Sequence, residues 1–374
     1  MKTKSVGIIG SGAWGTGLAQ ALARGGNEVQ LYTHSPELAE AINSSHENTK
    51  YLKGYPLSDK VTASCDIAEV ADDKDFLFLA SPSIYLIQNV KRILNVPSIA
   101  RGRTNIGILT KGFIPPHEDA DKSYGDSTAR EATASEATAA DKEPKLIVET
   151  LEELLPESFK HNLVYVAGPS HAEEVALGKL TGLITASENP QNAIMFRDFL
   201  RVPGLMVYSS FDVVGVQVCA AVKNVIAIVY GMLDAVAEDS EIFGDNAESL
   251  LLAAGLNEIQ TLGFAMGATH AETFTSISGV GDLDVTCKSK YGRNRRFGHD
   301  IIKTDILSKF KDLDDLIENI SSIGYMPEGV VACKYVEQIA SKRHLKLKIC
   351  TGLYKILDRE IEPEDFLTDL LIRG

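Results

Sequence analysis

The run Gly10-Ser11-Gly12-Ala13-Trp14-Gly15, set directly behind the apolar residues 6–9, constrains the fold of this chain more than any other feature. Residues 4–9 read as a short buried strand, 15–25 as an Ala- and Leu-rich helix ended by Gly25-Gly26, and 28–33 as a second strand. That is a strand-helix-strand unit with the glycines at its first turn. Each glycine then has a mechanical reason: Gly10 permits the tight turn, Gly12 lets the backbone approach a pyrophosphate, and Gly15 allows close packing of helix on strand. The helix start adds unpaired N–H groups and the positive end of a dipole. A glycine-rich turn without a ligand would show the same letters, but the position between strand and helix favours a dinucleotide.

Apolar runs at 76–80, 104–109, 163–166 and 183–186 extend the strand series, with helical patterns around 84–94 and 146–155, so a mostly parallel sheet is expected. From about residue 212 the texture changes. Segments 212–237, 247–267, 301–309 and 329–342 carry helical periodicity with few strand signals between them, and Pro327 and Pro363 punctuate them. The expected class is α/β: a Rossmann-type, mostly parallel sheet over residues 1–207 and an all-helical C-terminal domain over 208–374. Residues 115–144 contain no Val, Ile, Leu, Met, Phe or Trp and cannot build a core. They read as a mobile insertion in the first domain with no catalytic part.

A chain of 374 residues that is 44% hydrophobic can bury two domain cores. No stretch approaches the roughly 18 uninterrupted apolar residues of a membrane span, and the start carries no signal-peptide pattern, so the cytosol is the default location. The cysteines Cys65, Cys219, Cys287, Cys333 and Cys350 are odd in number and scattered, which argues for reduced thiols and against a disulfide framework or a metal site. A net charge of -14 disfavours nucleic acid and anionic membrane as partners. It also makes any local basic cluster a candidate site for an anionic ligand, and Gly292-Arg293-Asn294-Arg295-Arg296-Phe297 is such a cluster.

Lys223 lies in a segment, 219–229, that is apolar almost all round. A lysine there either snorkels to solvent or faces a site, where desolvation would lower its pKa. Asp282, after Gly279-Val280-Gly281, could pair with it; the bland alternative is a turn or helix-cap residue. Arg293 and Asn294 offer a bidentate guanidinium and an amide for phosphate, while Arg295 and Arg296 suit solvated surface charges. Gly168-Pro169-Ser170-His171-Ala172-Glu173 opens a helix with Ser170 and Glu173 spaced as a capping box. Thr110-Lys111-Gly112 ends a buried strand from which a lysine can reach the crevice. Thr33-His34-Ser35 stands where an enzyme strict for NAD carries Asp or Glu, so NAD or NADP is allowed, and His34 is either a contact to a 2′-phosphate or an ordinary surface residue.

Taken in order, Gly-x-Gly-Ala-Trp-Gly-Thr, Thr-Lys-Gly, Gly-Pro-Ser-His-Ala, Val-Lys-Asn, Gly-Val-Gly-Asp-Leu and Gly-Arg-Asn-Arg-Arg-Phe-Gly resemble the bacterial NAD(P)-dependent sn-glycerol-3-phosphate dehydrogenase family. The resemblance implies catalytic roles for Lys223, Asp282 and Lys111, and a glycerol phosphate site of Lys111, Gly168, Ser170, Lys223, Asn224, Asp282, Thr286, Gly292, Arg293 and Asn294. It implies a cofactor site of Gly10, Gly12, Ala13, Trp14, Gly15, His34, Lys111, Ala172, Arg293, Met326 and Glu328. The implied reaction is reversible hydride transfer between NAD(P)H and dihydroxyacetone phosphate, feeding phospholipid synthesis, with a small phosphate-bearing molecule as partner and homodimerisation left open.

The chain departs from the family pattern in the 115–144 insertion, in His171 where Phe is usual, and in a longer, more acidic stretch between Asn294 and Glu328. Two rival readings are a two-domain reductase of a 2-keto or 3-hydroxy acid and a non-enzymatic nicotinamide sensor.

Overall fold

β1 (Ser5–Ile9), β2 (Glu28–Tyr32), β3 (Val61–Ser64), β4 (Phe76–Leu79) and β5 (Asn105–Ile108) form parallel ladders in the spatial order β5-β4-β1-β2-β3. The structure, a computed structural model, describes residues 3–114, 143–289 and 291–373. β6 (Phe113–Ile114) and β7 (Lys145–Leu146) make a small antiparallel ladder of their own. β8 (Val164–Ala167), β9 (Thr181–Ala186) and β10 (Leu205–Ser210) extend the large sheet beyond β5, with β8 parallel to β5, β9 antiparallel to β8 and β10 parallel to β9. Helix Ala13–Arg24 lays Leu18, Ala19 and Leu22 into the core made by Ile8, Leu31, Phe78 and Val166. Central strands covered on both faces are apolar throughout, and for that reason Phe76 to Leu79 could be read as a strand.

β3 and β10 were not among the expected strands. β3 lies at one edge of the sheet and β10 at the other. In β3 buried Val61 and Ala63 flank exposed Thr62; in β10 buried Leu205 and Val207 alternate with exposed Met206 and Tyr208. A strand with one wet face carries no continuous apolar run to find. The expected boundary at 207/208 therefore falls inside β10, where Tyr208 pairs with Ile184, and it is corrected here. The chain divides instead into one unit of Met1–Lys111 with Ile147–Val216 and a second of Gly112–Leu146 with Gln217–Gly374.

Most of the expected insertion, residues 115–142, lies outside the described residues. Its described flanks, β6 and β7, group with the second unit rather than the first, which corrects the expectation. The Arg343 guanidinium holds Glu143 at 2.6 Å and donates to the carbonyl of Ala265, tying this flank to helix ends of the second unit.

Among the described residues beyond Ser210 every regular element is helical. Helix Val213–Ala237 is the one helix among them long and apolar enough to cross a membrane, and 94% of its most apolar window is buried inside the protein. Two further helices, Arg293–Thr304 and Glu328–Lys342, cross it at backbone contact. A Cβ on Gly231 would lie 1.9 Å from the Arg295 carbonyl oxygen, one on Gly298 1.8 Å from that of Ile228, and one on Gly329 2.4 Å from that of Asn224. No side chain fits at these crossings. The helix expected over 301–309 thus begins earlier, at Arg293, and stops at Thr304, where Asp305 turns left-handed (φ 46°) before a separate 3-10 turn, Ile306–Lys309.

Candidate active site

In the first unit the glycine loop has the geometry its spacing suggests. Gly10 holds φ +130°, and a Cβ there would lie 2.8 Å from the Ala80 carbonyl carbon; one on Gly15 would lie 2.2 Å from the Gly10 oxygen. Gly12 is the N-cap of helix Ala13–Arg24, contributes no capping side chain, and has nothing within 4 Å of the place its Cβ would occupy. Open space thus lies beside a helix start whose first N–H groups have no intrahelical acceptor, an arrangement that fits a pyrophosphate. The loop is braced by the fully buried Asn48, whose amide donates to the Ser11 carbonyl at 2.8 Å and to the Thr16 hydroxyl at 2.7 Å. Sequence reasoning missed this brace, which comes from a residue more than thirty positions away.

Trp14 packs against the core of the sheet, and Ala13 joins Leu52, Ala172 and Ala176 in a small apolar cluster, so two expected cofactor positions, Ala13 and Ala172, meet. His34 is exposed just past β2. Its neighbour Ser35 caps helix Pro36–Ser45 by accepting the Leu38 N–H, and its hydroxyl donates to Glu37, holding that carboxyl below its ordinary range. Lys111 follows Thr110, whose buried hydroxyl donates to the Ser81 carbonyl at 2.7 Å and ties the end of β5 to the end of β4.

The capping box expected at Ser170 is absent: its hydroxyl donates to the Gly168 carbonyl at 2.9 Å. Helix Ala172–Ala176 starts later, at His171, whose side chain does not cap it. Gly168 itself is held at φ +129°, where a Cβ would lie 2.5 Å from the Gly182 oxygen, so its conformation belongs to the turn after β8.

In the second unit Lys223 donates to Asp282, and both are buried, 4% and 1% exposed. Of the two readings open for Lys223, the snorkelling one is excluded. Asp282 begins helix Asp282–Lys288 directly after the single π-helical turn Ile277–Gly281, and its carboxylate accepts from the lysine. One helical turn on, the Thr286 hydroxyl donates to the Asp282 carbonyl at 2.5 Å, while Asn224, the neighbour of Lys223, is also buried.

Arg293 is exposed at the first position of helix Arg293–Thr304, behind the Gly292 N-cap, and among the described residues it makes no ion pair. A cation at a helix start opposes the dipole, and the first turn carries no acidic residue to offset it; an anion bound there would reverse that sign.

Asn294 is buried, and its side-chain oxygen accepts the Gly329 N–H at 2.9 Å. One of its four hydrogen-bonding positions thus serves the start of helix Glu328–Lys342, and the two amide N–H groups are not engaged by that bond. The same bond sets Glu328, and Met326 two residues before it, next to the Arg-Asn motif despite the long stretch between them. Arg295 and Arg296 are not merely solvated charges: Arg295 pairs with Asp234 at 2.6 Å, and Arg296 sits 4.5 Å over the Tyr325 ring.

None of the five cysteines is in a disulfide, and burial pushes the thiol pKa of Cys287, Cys333 and Cys350 upward, which makes them poor nucleophiles. Among the described residues no group of three or more His, Cys, Asp and Glu could hold a metal.

The sequence profile of the NAD-dependent glycerol-3-phosphate dehydrogenase N-terminus matches residues 5–193, and that of the C-terminus of the same enzymes matches residues 212–368. The chain belongs to this family. A relative in Treponema denticola, named glycerol-3-phosphate dehydrogenase with NAD(P)+ as cofactor, is 54% identical over 371 residues, 98% of each chain. One of the same name in Bacillus subtilis is 32% identical over 99% of this chain and 95% of its own. The crystal structure of a glycerol-3-phosphate dehydrogenase from Coxiella burnetii is similar over 99% of both chains, with a TM-score of 0.79 at 26% identity.

Proposed function

We propose that this protein catalyses reversible hydride transfer between NAD(P)H and dihydroxyacetone phosphate, giving sn-glycerol 3-phosphate, in the cytoplasm and in support of phospholipid synthesis. The observation that carries the reading is the buried Lys223–Asp282 pair, set in the same helical frame as Arg293, which makes no ion pair among the described residues. A bound nicotinamide supplies or accepts the hydride. Lys223, fixed by Asp282, stabilises the negative charge that grows on the substrate carbonyl oxygen and donates the proton to it, combining electrostatic and general-acid catalysis. Asn224 and Thr286 flank the pair and contact the substrate hydroxyl. Arg293 and the Asn294 amide hold the phosphate away from the reacting carbon, so its binding energy serves orientation.

In the first unit, Gly10, Gly12, Ala13 and Gly15 receive the pyrophosphate, Trp14 and Ala172 shape the surroundings, and Lys111, Gly168 and Ser170 face the nicotinamide and substrate. The lack of a carboxylate on His34 leaves both NAD and NADP acceptable.

A substrate panel tests the reading. Dihydroxyacetone phosphate should oxidise both reduced cofactors, while unphosphorylated dihydroxyacetone and 2-keto acids should react far more slowly, because the guanidinium is left without its partner. Equal rates on the unphosphorylated ketone would sink it, and turnover of 2-keto acids alone would establish the rival reductase.

A further inference from the structure

Arg293 and Asn294 can grip a phosphate only if the first turn of their helix is held in one place, and the element that holds it is the helix carrying Lys223. We propose that Asp234, acting through Arg295, is a positioning residue for the phosphate-binding turn. The inference rests on the reading of Arg293 as the phosphate anchor.

Three observations converge on this contact. The Arg295 guanidinium donates to Asp234 at 2.6 Å, with both side chains about three-quarters buried (27% and 23% exposed). Such a charge-assisted bond is directional and less screened than a surface pair. One turn earlier on Asp234's helix, Gly231 lets the Arg295 backbone approach until a Cβ would lie 1.9 Å from its carbonyl oxygen. Arg295 is therefore gripped at both ends, by backbone contact at its carbonyl and by a carboxylate at its guanidinium. On the next turn of its helix Gly298 rests on the Ile228 carbonyl, which leaves the helix little freedom to rotate or slide.

Arg295 is two residues from Arg293 and one from Asn294, within the same first turn. Asp234 lies eleven residues from Lys223 along one continuous helix. The ion pair thus holds the phosphate-binding turn against the helix that carries Lys223. Among the described residues the buried Arg295 Nε has no hydrogen-bond partner, so the Asp234 contact is what retains the guanidinium.

The test is steady-state kinetics on Asp234→Asn, Asp234→Glu, Arg295→Lys, Arg293→Ala and the Asp234→Asn/Arg293→Ala double variant, with NADPH affinity read by fluorescence. Asp234→Asn should raise the KM for dihydroxyacetone phosphate about tenfold, the scale of one charge-assisted bond, with kcat and NADPH affinity nearly unchanged. Asp234→Glu should restore most of the loss, and Arg295→Lys should shift KM in the same direction even if Asp234→Asn folds poorly. On the Arg293→Ala background Asp234→Asn should add nothing. An unchanged KM in both Asp234→Asn and Arg295→Lys, a parallel fall in kcat and cofactor affinity, or full additivity with Arg293→Ala would overturn the positioning role. An unchanged KM in Arg293→Ala alone would instead remove the phosphate anchor, and this inference with it.

Discussion

Replacing Lys223 and Asp282 singly and together separates what the pair does for the fold from what it does for the reaction. Lys223→Met leaves the Asp282 carboxylate, 1% exposed, without its cation; Asp282→Leu leaves Lys223, 4% exposed, without its anion. Solvent does not screen either group. Breaking a buried pair from one side costs about 3–5 kcal/mol, because one uncompensated charge stays inside. For a unit of this size each kcal/mol lowers Tm by about 2–4 °C, so each single variant should melt roughly 6–20 °C below wild type.

The double variant Lys223→Met/Asp282→Leu removes both charges and keeps most of the volume. Its stability should return close to that of wild type, since apolar replacement of a whole buried pair is often neutral or better. Turnover should not return. With the general acid gone it should stay down by about 10²–10⁴-fold in the single Lys223 variant and the double alike. Circular dichroism melting and the reduction of dihydroxyacetone phosphate read the two effects separately. A double variant as unstable as the worse single, or one that recovers turnover, would refute the reasoning.

Two other outcomes follow from single residues. His34→Asp puts a carboxylate where a 2′-phosphate would lie, and should shift the ratio of kcat/KM for NADPH over NADH about tenfold or more toward NADH; an unchanged ratio would show that His34 lies away from the ribose. Glu258 accepts the Ile349 and Cys350 N–H groups at 2.6 and 3.0 Å, yet burial pushes its carboxyl above its ordinary range. The folded state then holds the proton more tightly than the unfolded one, so this group's contribution falls as pH rises from the ordinary glutamate range through the raised value. The Tm advantage of wild type over Glu258→Gln should therefore shrink from mildly acidic to neutral pH, and an advantage that grows would contradict the assignment.

The parts of the site legible in the sequence are those whose cost is visible locally. Lys223 stands out because an apolar helix is an expensive place for an ammonium, and the glycines of the first loop because only a turn and a helix start explain their spacing. Asp282 was legible only as a candidate, since the same residue after Gly281 serves equally well as a cap. Asn48, Asp234, Gly231 and Gly329 left no such mark: each acts on a partner far along the chain, and a glycine that admits another helix reads like any glycine. Ser170 misled for the opposite reason, because its spacing to Glu173 is right for a capping box while the hydroxyl finds a nearer acceptor in Gly168. In the fold, the strands covered on both faces announced themselves, whereas β10, wet on one face, did not, and the domain boundary was misplaced with it.

The central claim is that hydride passes between the nicotinamide and C2 of dihydroxyacetone phosphate, with Lys223 donating the proton. Reduction of dihydroxyacetone phosphate with NADPH deuterated at C4 of the nicotinamide, followed by mass and NMR analysis of the product, tests it most directly. The account predicts sn-glycerol 3-phosphate carrying one deuterium at C2, and loss of that product in Lys223→Met. Product without deuterium at C2, or label transfer undiminished in Lys223→Met, would contradict it.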